Sequence, residues 1–188
     1  MNRQRGFTYL ELVAVVVIIG ILAASGLVYY ERALDDARRV GVELLASRFA
    51  AATALMRAQW IVEGGRQGNG GKSVEVDNLT IFLNEFGWPA NTDGGSPRST
   101  DQTAEECYQV WQMVLQNPAL ATVEGRVEAT VDGAARNNPE AKGRQRYHVS
   151  QIDNQACRYE LLTNSDGMHF FDYNLRTGRV LVTVPPLD

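Results

Sequence analysis

Residues 1–30 read MNRQRGFTYLELVAVVVIIGILAASGLVYY, and the organisation of the remaining chain follows from them. A short polar leader carries Arg3 and Arg5 and ends at Gly6. An apolar run from Leu12 to Tyr30 follows, with no Pro, Lys or Arg. At about 1.5 Å per helical residue, roughly 20 such residues span a hydrocarbon core about 30 Å thick. One carboxylate, Glu11, stands at the mouth of this run. A carboxylate at the centre of a bilayer costs about 2.5 kcal/mol or more, so this one wants a partner.

Three readings compete for the segment. A secretory signal peptide is cut after its apolar run, at small residues such as Ala23-Ala24-Ser25-Gly26. A plain anchor keeps its Arg residues inside and spans the bilayer. The third is a leader cut between Gly6 and Phe7, which leaves the apolar helix on the mature chain. Glu11 favours the third. Such a cut creates an α-amine on Phe7, and Phe7 and Glu11 are an i,i+4 pair on one helix face.

Gly6-Phe7-Thr8-Tyr9-Leu10-Glu11-Leu12, with residues 1–6 before it and an apolar helix after it, resembles the class III leader of type IV pilins and type II secretion pseudopilins. The resemblance implies a membrane prepilin peptidase that cuts at Gly6–Phe7 and methylates the Phe7 amine. It further implies that Glu11 pairs with the Phe7 amine of a neighbouring subunit during assembly. Many members of the family carry a proline where Val28 stands here, and its absence implies a straighter helix.

The 188 residues allow one ordinary domain plus an anchor. The formal net charge is −4, and removal of Arg3 and Arg5 with the leader makes it −6. An acidic body argues against broad capture of nucleic acid, so no nucleic-acid partner is expected. The Arg residues before the apolar run place the leader in the cytoplasm and the rest outside the inner membrane of a bacterium. Thiols there are oxidised, which predicts a disulfide between Cys107 and Cys157; two buried free thiols are the alternative. Neither cysteine has a second Cys or a His at ligand spacing, so no metal or other cofactor is expected.

Beyond Tyr30 the apolar positions Leu34, Ala37, Gly41, Leu45, Phe49, Ala52, Met56 and Trp60 recur every three or four residues, with Arg, Asp and Glu between them. This predicts one continuous helix from Phe7 to about Val62, its second half lying on a sheet and ending at Gly64-Gly65. Residues 64–73, GGRQGNGGKS, approach a phosphate-binding loop, but Arg66 stands where the first Gly is required, and a flexible connector is the better reading. Val74 and Val76, then Leu79, Ile81 and Leu83, alternate as two short extended segments ending at Gly87-Trp88-Pro89. Residues 90–102 read as loop. Their Asp93 and Asp101 lack the spacing of a calcium loop.

Thr103 and Glu106 form a capping box that opens a helix over 104–116, with Asn117-Pro118 ending it. Val127, Ala129 and Val131 suggest a strand within 119–132. Residues 133–146 are polar and locally basic through Arg136, Lys142, Arg144 and Arg146, a solvated loop rather than an anion patch. The clearest β signal is last: runs 147–152, 156–163, 169–174 and 179–184, separated by Asp153-Asn154, Asp166-Gly167 and Thr177-Gly178 and stopped by Pro185-Pro186. They predict an antiparallel meander covered by the apolar stripe of the long helix.

The fold expected is α+β, a long N-terminal helix packed on an antiparallel β-sheet, which is similar to the ladle fold of type IV pilins. The divisions are leader 1–6, membrane and assembly half of the helix 7–30, amphipathic half 31–63, and head 64–188. Ala58-Gln59-Trp60, Gly87-Trp88-Pro89, Cys107 before Val110-Trp111, and Cys157-x-Tyr159 most resemble pilins of the mannose-sensitive haemagglutinin type. No catalytic set emerges: His148 and His169 each stand alone on a strand, no G-x-S-x-G occurs, and Asp35-Asp36 and Glu105-Glu106 point apart on helices. The expected role is a structural subunit of a pilus, partnered by other subunits through its N-terminal helix. A secretion pseudopilin and a tip adhesin are the alternatives.

Overall fold

The computed structural model describes residues 8–65, 73–76, 79–94, 97–123, 147–162 and 168–185. The chain divides into two compact units, Met1–Val40 and Gly41–Asp188. Helix α1, Tyr9–Val62, belongs to both and is unbroken, position 28 included.

In the first unit α1 is exposed along its described length apart from half-buried Arg38 and Arg39. From Gly41 its character changes. Val42, Ala46, Phe49, Thr53, Met56 and Trp60 are buried at alternating steps of four and three residues. That period keeps one stripe on a partner surface. The seam differs from the one read off the sequence. Leu34, Ala37 and Gly41 are exposed and Leu45 is half-buried, while Val42 and Ala46 take the inner positions. A helix so rich in apolar residues offers two adjacent stripes, and periodicity alone does not choose between them.

The second unit holds two sheets. β1 (Ser73–Val76), β2 (Leu79–Leu83) and β3 (Pro89–Asn91) form an antiparallel sheet in that order. β3 corrects the assignment of residues 90 and 91 to a loop. Pro89 cannot donate to a ladder, yet β3 is an edge strand and needs no donor on its open side. β4 (Ala121–Val123), β5 (Tyr147–Ile152), β6 (Ala156–Leu161), β7 (Phe170–Asn174) and β8 (Val180–Thr183) form the second sheet in sequence order. β5 to β8 are the expected antiparallel meander. β4 lies parallel to β5, which was not anticipated. The strand proposed around Val127–Val131, the connector 66–72, Asp166-Gly167 and the basic loop 133–146 lie outside the described residues.

Phe49 is the centre of the core. Its ring lies 5.2 Å from Tyr159, 5.5 Å from Phe171 and 5.2 Å from Tyr173, so three strand residues converge on one helix residue. These rings meet tilted or edge-on, as their quadrupoles prefer. α2 (Ala104–Val114) packs on β3 and β5, with Cys107, Val110, Trp111 and Val114 buried. Trp111 stacks on Tyr159 at 5.1 Å and donates its indole N–H to Ala119 O. Asn84 joins the two sheets: its Nδ2 donates to Leu175 O at 2.7 Å, and its Oδ1 accepts from Phe86 N and Trp88 N.

Candidate functional site

The site proposed from the sequence centres on Gly6, Phe7 and Glu11. Gly6 and Phe7 lie outside the described residues. Glu11 is in the first turn of α1, and its carboxylate has a partner there. Oε2 accepts from Thr8 N at 3.2 Å and from Thr8 Oγ1 at 3.1 Å, while Glu11 N donates to Thr8 Oγ1 at 3.3 Å. This is a capping box, in which an N-terminal hydroxyl and a carboxylate three residues on satisfy each other's backbone N–H groups. The sequence signal, Thr8-x-x-Glu11, has the same form as Thr103-x-x-Glu106 at the start of α2.

The helix beyond Glu11 explains why that carboxylate matters. Leu12, Val13, Val15, Val16, Val17, Ile18 and their successors through Tyr30 are exposed wherever their side chains are described. Among the described residues there is one helix long and apolar enough to cross a membrane, Tyr9–Val62. Apolar surface on this scale marks contact with lipid or with another protein. Among the described residues the side-chain polar bonds inside the apolar stretch are internal, Ser25 Oγ donating to Ile21 O and Leu22 O. Glu11 is therefore the lone acid on a surface otherwise suited to lipid or to a like helix.

The cysteines are brought together as expected. Cys107 of α2 and Cys157 of β6 form a disulfide with Cα atoms 5.4 Å apart, and both residues are fully buried. The bridge ties α2 to the second strand of the meander. Beside it, Tyr159 OH donates to Cys107 O at 2.9 Å. Burial pushes the Tyr159 phenol well above its ordinary range, with a further contribution from Tyr173. Tyr173, donating to Pro89 O at 3.1 Å, is raised well above it too, by burial.

The other polar residues singled out in the sequence have local roles. His148 Nδ1 lies 3.0 Å from Thr122 Oγ1, across the β4–β5 pair. His169 is buried. Asp93 accepts from Gln109 Nε2 at 2.6 Å, so it fastens the 90–94 segment to α2. On the outer face of the meander Arg158 is bidentate to Asp172, at 2.8 Å for each contact, and lies 3.8 Å from the centre of the Phe170 ring. The Asp172 hydrogen bond is the main reason the Arg158 guanidinium is raised above its ordinary value. Among the described residues no three His, Cys, Asp or Glu side chains cluster to hold a metal.

Comparison with known proteins agrees with this geometry. The model of the prokaryotic N-terminal methylation motif matches residues 1–27, the leader and the start of the apolar helix. Fimbrial protein Q of Moraxella bovis is 32% identical over 137 residues, covering 72% of this chain and 73% of that protein. The type IV major alpha-pilin of Moraxella bovis is 43% identical over 61 residues, 31% of this chain and 38% of that protein. A fimbrial protein of Moraxella nonliquefaciens is 33% identical over 87 residues, 46% of this chain and 53% of that protein. No solved structure matches. With a leader of the methylation type, a long apolar helix, an antiparallel meander and a fimbrial relative aligned over most of both chains, this chain belongs to the type IV pilin family.

Proposed function

We propose that the chain is a structural subunit, not an enzyme, of a type IV pilus resembling the mannose-sensitive haemagglutinin type, used for attachment to surfaces. Prepilin peptidase cuts between Gly6 and Phe7 and the new amine on Phe7 is methylated. Before assembly the apolar half of α1 holds the subunit in the bacterial inner membrane with its head outside. During assembly that half-helix leaves lipid for sister helices, and Glu11 pairs with the Phe7 amine of a neighbour. The observation that carries this reading is one carboxylate, Glu11, at the mouth of an exposed, otherwise uncharged helix surface.

The physical logic is selection by cost. Apolar side chains are nearly as comfortable in lipid as against a sister helix, so apolar contact alone sets no register. An unpaired carboxylate is far worse off in lipid than beside an ammonium, so the charge pair selects the register. Glu11→Gln is expected to be processed and to accumulate in the membrane but to yield no fibres. Fibres at wild-type yield from that variant would overturn the assembly role. The mass of the mature chain tests the cleavage site independently: it must begin at N-methylated Phe7.

A further inference from the structure

The apolar half of α1 is bounded at each end by tyrosine. Tyr9 stands in its first turn, and Tyr29 and Tyr30 stand where the apolar run gives way to Glu31 and Arg32. All three are open to the surroundings: Tyr9 is 85% exposed, Tyr29 77% and Tyr30 60%. Between Tyr9 and Tyr29 the chain has no other aromatic residue, and its one ionisable side chain there is Glu11. Ser25, the one hydroxyl in that interval, is satisfied by Ile21 O and Leu22 O. Because α1 is unbroken, Tyr9 and Tyr29 lie about 30 Å apart along its axis, which is the thickness of the hydrocarbon core of a bilayer.

We propose that Tyr9 on one side, and Tyr29 with Tyr30 on the other, sit at the two lipid–water boundaries and set the depth of α1 in the bilayer, a placement that rests on the membrane anchoring proposed above. A phenol suits such a boundary because its ring is apolar and its hydroxyl needs water or a headgroup. Leu and Val at the ends of a span tolerate a slide along the membrane normal at small cost, whereas a phenol resists displacement in either direction. Gly20, about midway between the two girdles, then lies near the midplane. Glu11, within one turn of Tyr9, lies at headgroup level, where water remains in reach and the charge costs far less than at the centre. The carboxylate meets hydrocarbon only when the helix is drawn out of the bilayer.

The test uses the full-length chain in vesicles of phosphatidylethanolamine and phosphatidylglycerol. Both native cysteines are held in the disulfide, so one added cysteine is a unique site for a nitroxide label. Val13→Cys, Val17→Cys, Gly20→Cys, Ala24→Cys and Leu27→Cys are labelled in turn; a side chain at Gly20 meets nothing within 4 Å. Spin relaxation by oxygen, which concentrates in hydrocarbon, is compared with relaxation by a water-soluble nickel chelate. The ratio of oxygen to nickel effect is expected to peak at Gly20 and to fall on both sides. With Tyr29→Leu and Tyr30→Leu together the peak is expected to move toward Ala24, by about one helical turn, as the longer apolar run sinks into the bilayer. Tyr29→Trp with Tyr30→Trp, which keeps the girdle aromatic, is expected to leave it at Gly20. A wild-type peak a full turn from Gly20, or a peak unmoved by the two leucines, overturns the girdle while the anchoring stands. Nickel reaching all five labels equally overturns the anchoring itself, and the girdle with it.

Discussion

Thr8 is a small residue with a large consequence for Glu11. Its hydroxyl and amide both reach the carboxylate, so the acid at the mouth of the apolar run is satisfied within its own chain. Removing the hydroxyl by Thr8→Ala takes away the acceptor for Glu11 N and should cost about 1 kcal/mol at the helix start. Amide exchange at Glu11, measured in micelles, should then quicken about fivefold. Exchange unchanged from wild type would mean that the box contributes nothing. Phe49 is the corresponding residue in the head. One ring touches Tyr159, Phe171 and Tyr173, and it is fully buried. Phe49→Ala opens a cavity bordered by rigid rings that cannot collapse into it, and should cost about 3–5 kcal/mol in urea unfolding.

Elements differ in how readily the sequence reveals them, and the differences have physical causes. α2 was legible because its start signal is local: Thr103 and Glu106 satisfy each other as their spacing requires. The hairpin between β5 and β6 was legible because Asp153 and Asn154 take positive φ, 49° and 55°, as few other residues readily do. The parallel pairing of β4 was not, because three residues carry too little pattern and their partner lies across a long connection. The buried stripe of α1 was found in outline but displaced, since its neighbouring stripe is equally apolar. Of the site, Glu11 was legible as an anomaly in charge, and its Thr8 partner is legible in the spacing Thr8-x-x-Glu11, the same form that opens α2. The disulfide followed from compartment, and its placement makes a prediction about elements. The bridge closes a sequence separation of 50 residues between α2 and β6. Reducing it, or making Cys107→Ser with Cys157→Ser, should destabilise the head by about 2–5 kcal/mol. Unfolding midpoints with and without reductant provide the measurement, and coincident curves would count against it. Gly178 is a second joint. It has φ 68° at the β7–β8 turn, and a Cβ there would lie 2.2 Å from the Trp88 ring. Gly178→Ala should therefore cost several times more than an ordinary surface Gly→Ala change, through both backbone strain and overpacking.

At the scale of the molecule, two kinds of surface are joined by one helix. The first unit presents apolar side chains that water does not favour, and the second unit buries its own around Phe49 and Trp111. Fold stability belongs to the second. The stability of the second has a pH dependence that follows from two of its buried phenols. Tyr159 and Tyr173 are fully buried, each donates to a backbone carbonyl, and burial raises both phenols well above the ordinary range. In the unfolded chain both titrate near pH 10. Below that pH both states hold the two protons and the contribution to stability is fully present. Above it the unfolded chain releases protons that the folded chain retains, so stability falls as pH rises, until the folded phenols themselves titrate. With two protons at stake the limiting slope is about 2.7 kcal/mol per pH unit. Tyr159→Phe should halve that slope while costing about 1 kcal/mol at neutral pH for the lost bond to Cys107 O. Urea unfolding followed from pH 8 to about pH 11.5, with tyrosinate absorbance recorded in parallel, provides the measurement. If the folded protein developed the full tyrosinate absorbance near pH 10 without loss of stability, the two phenols would have to be open to water and the packing about Phe49 would be wrong.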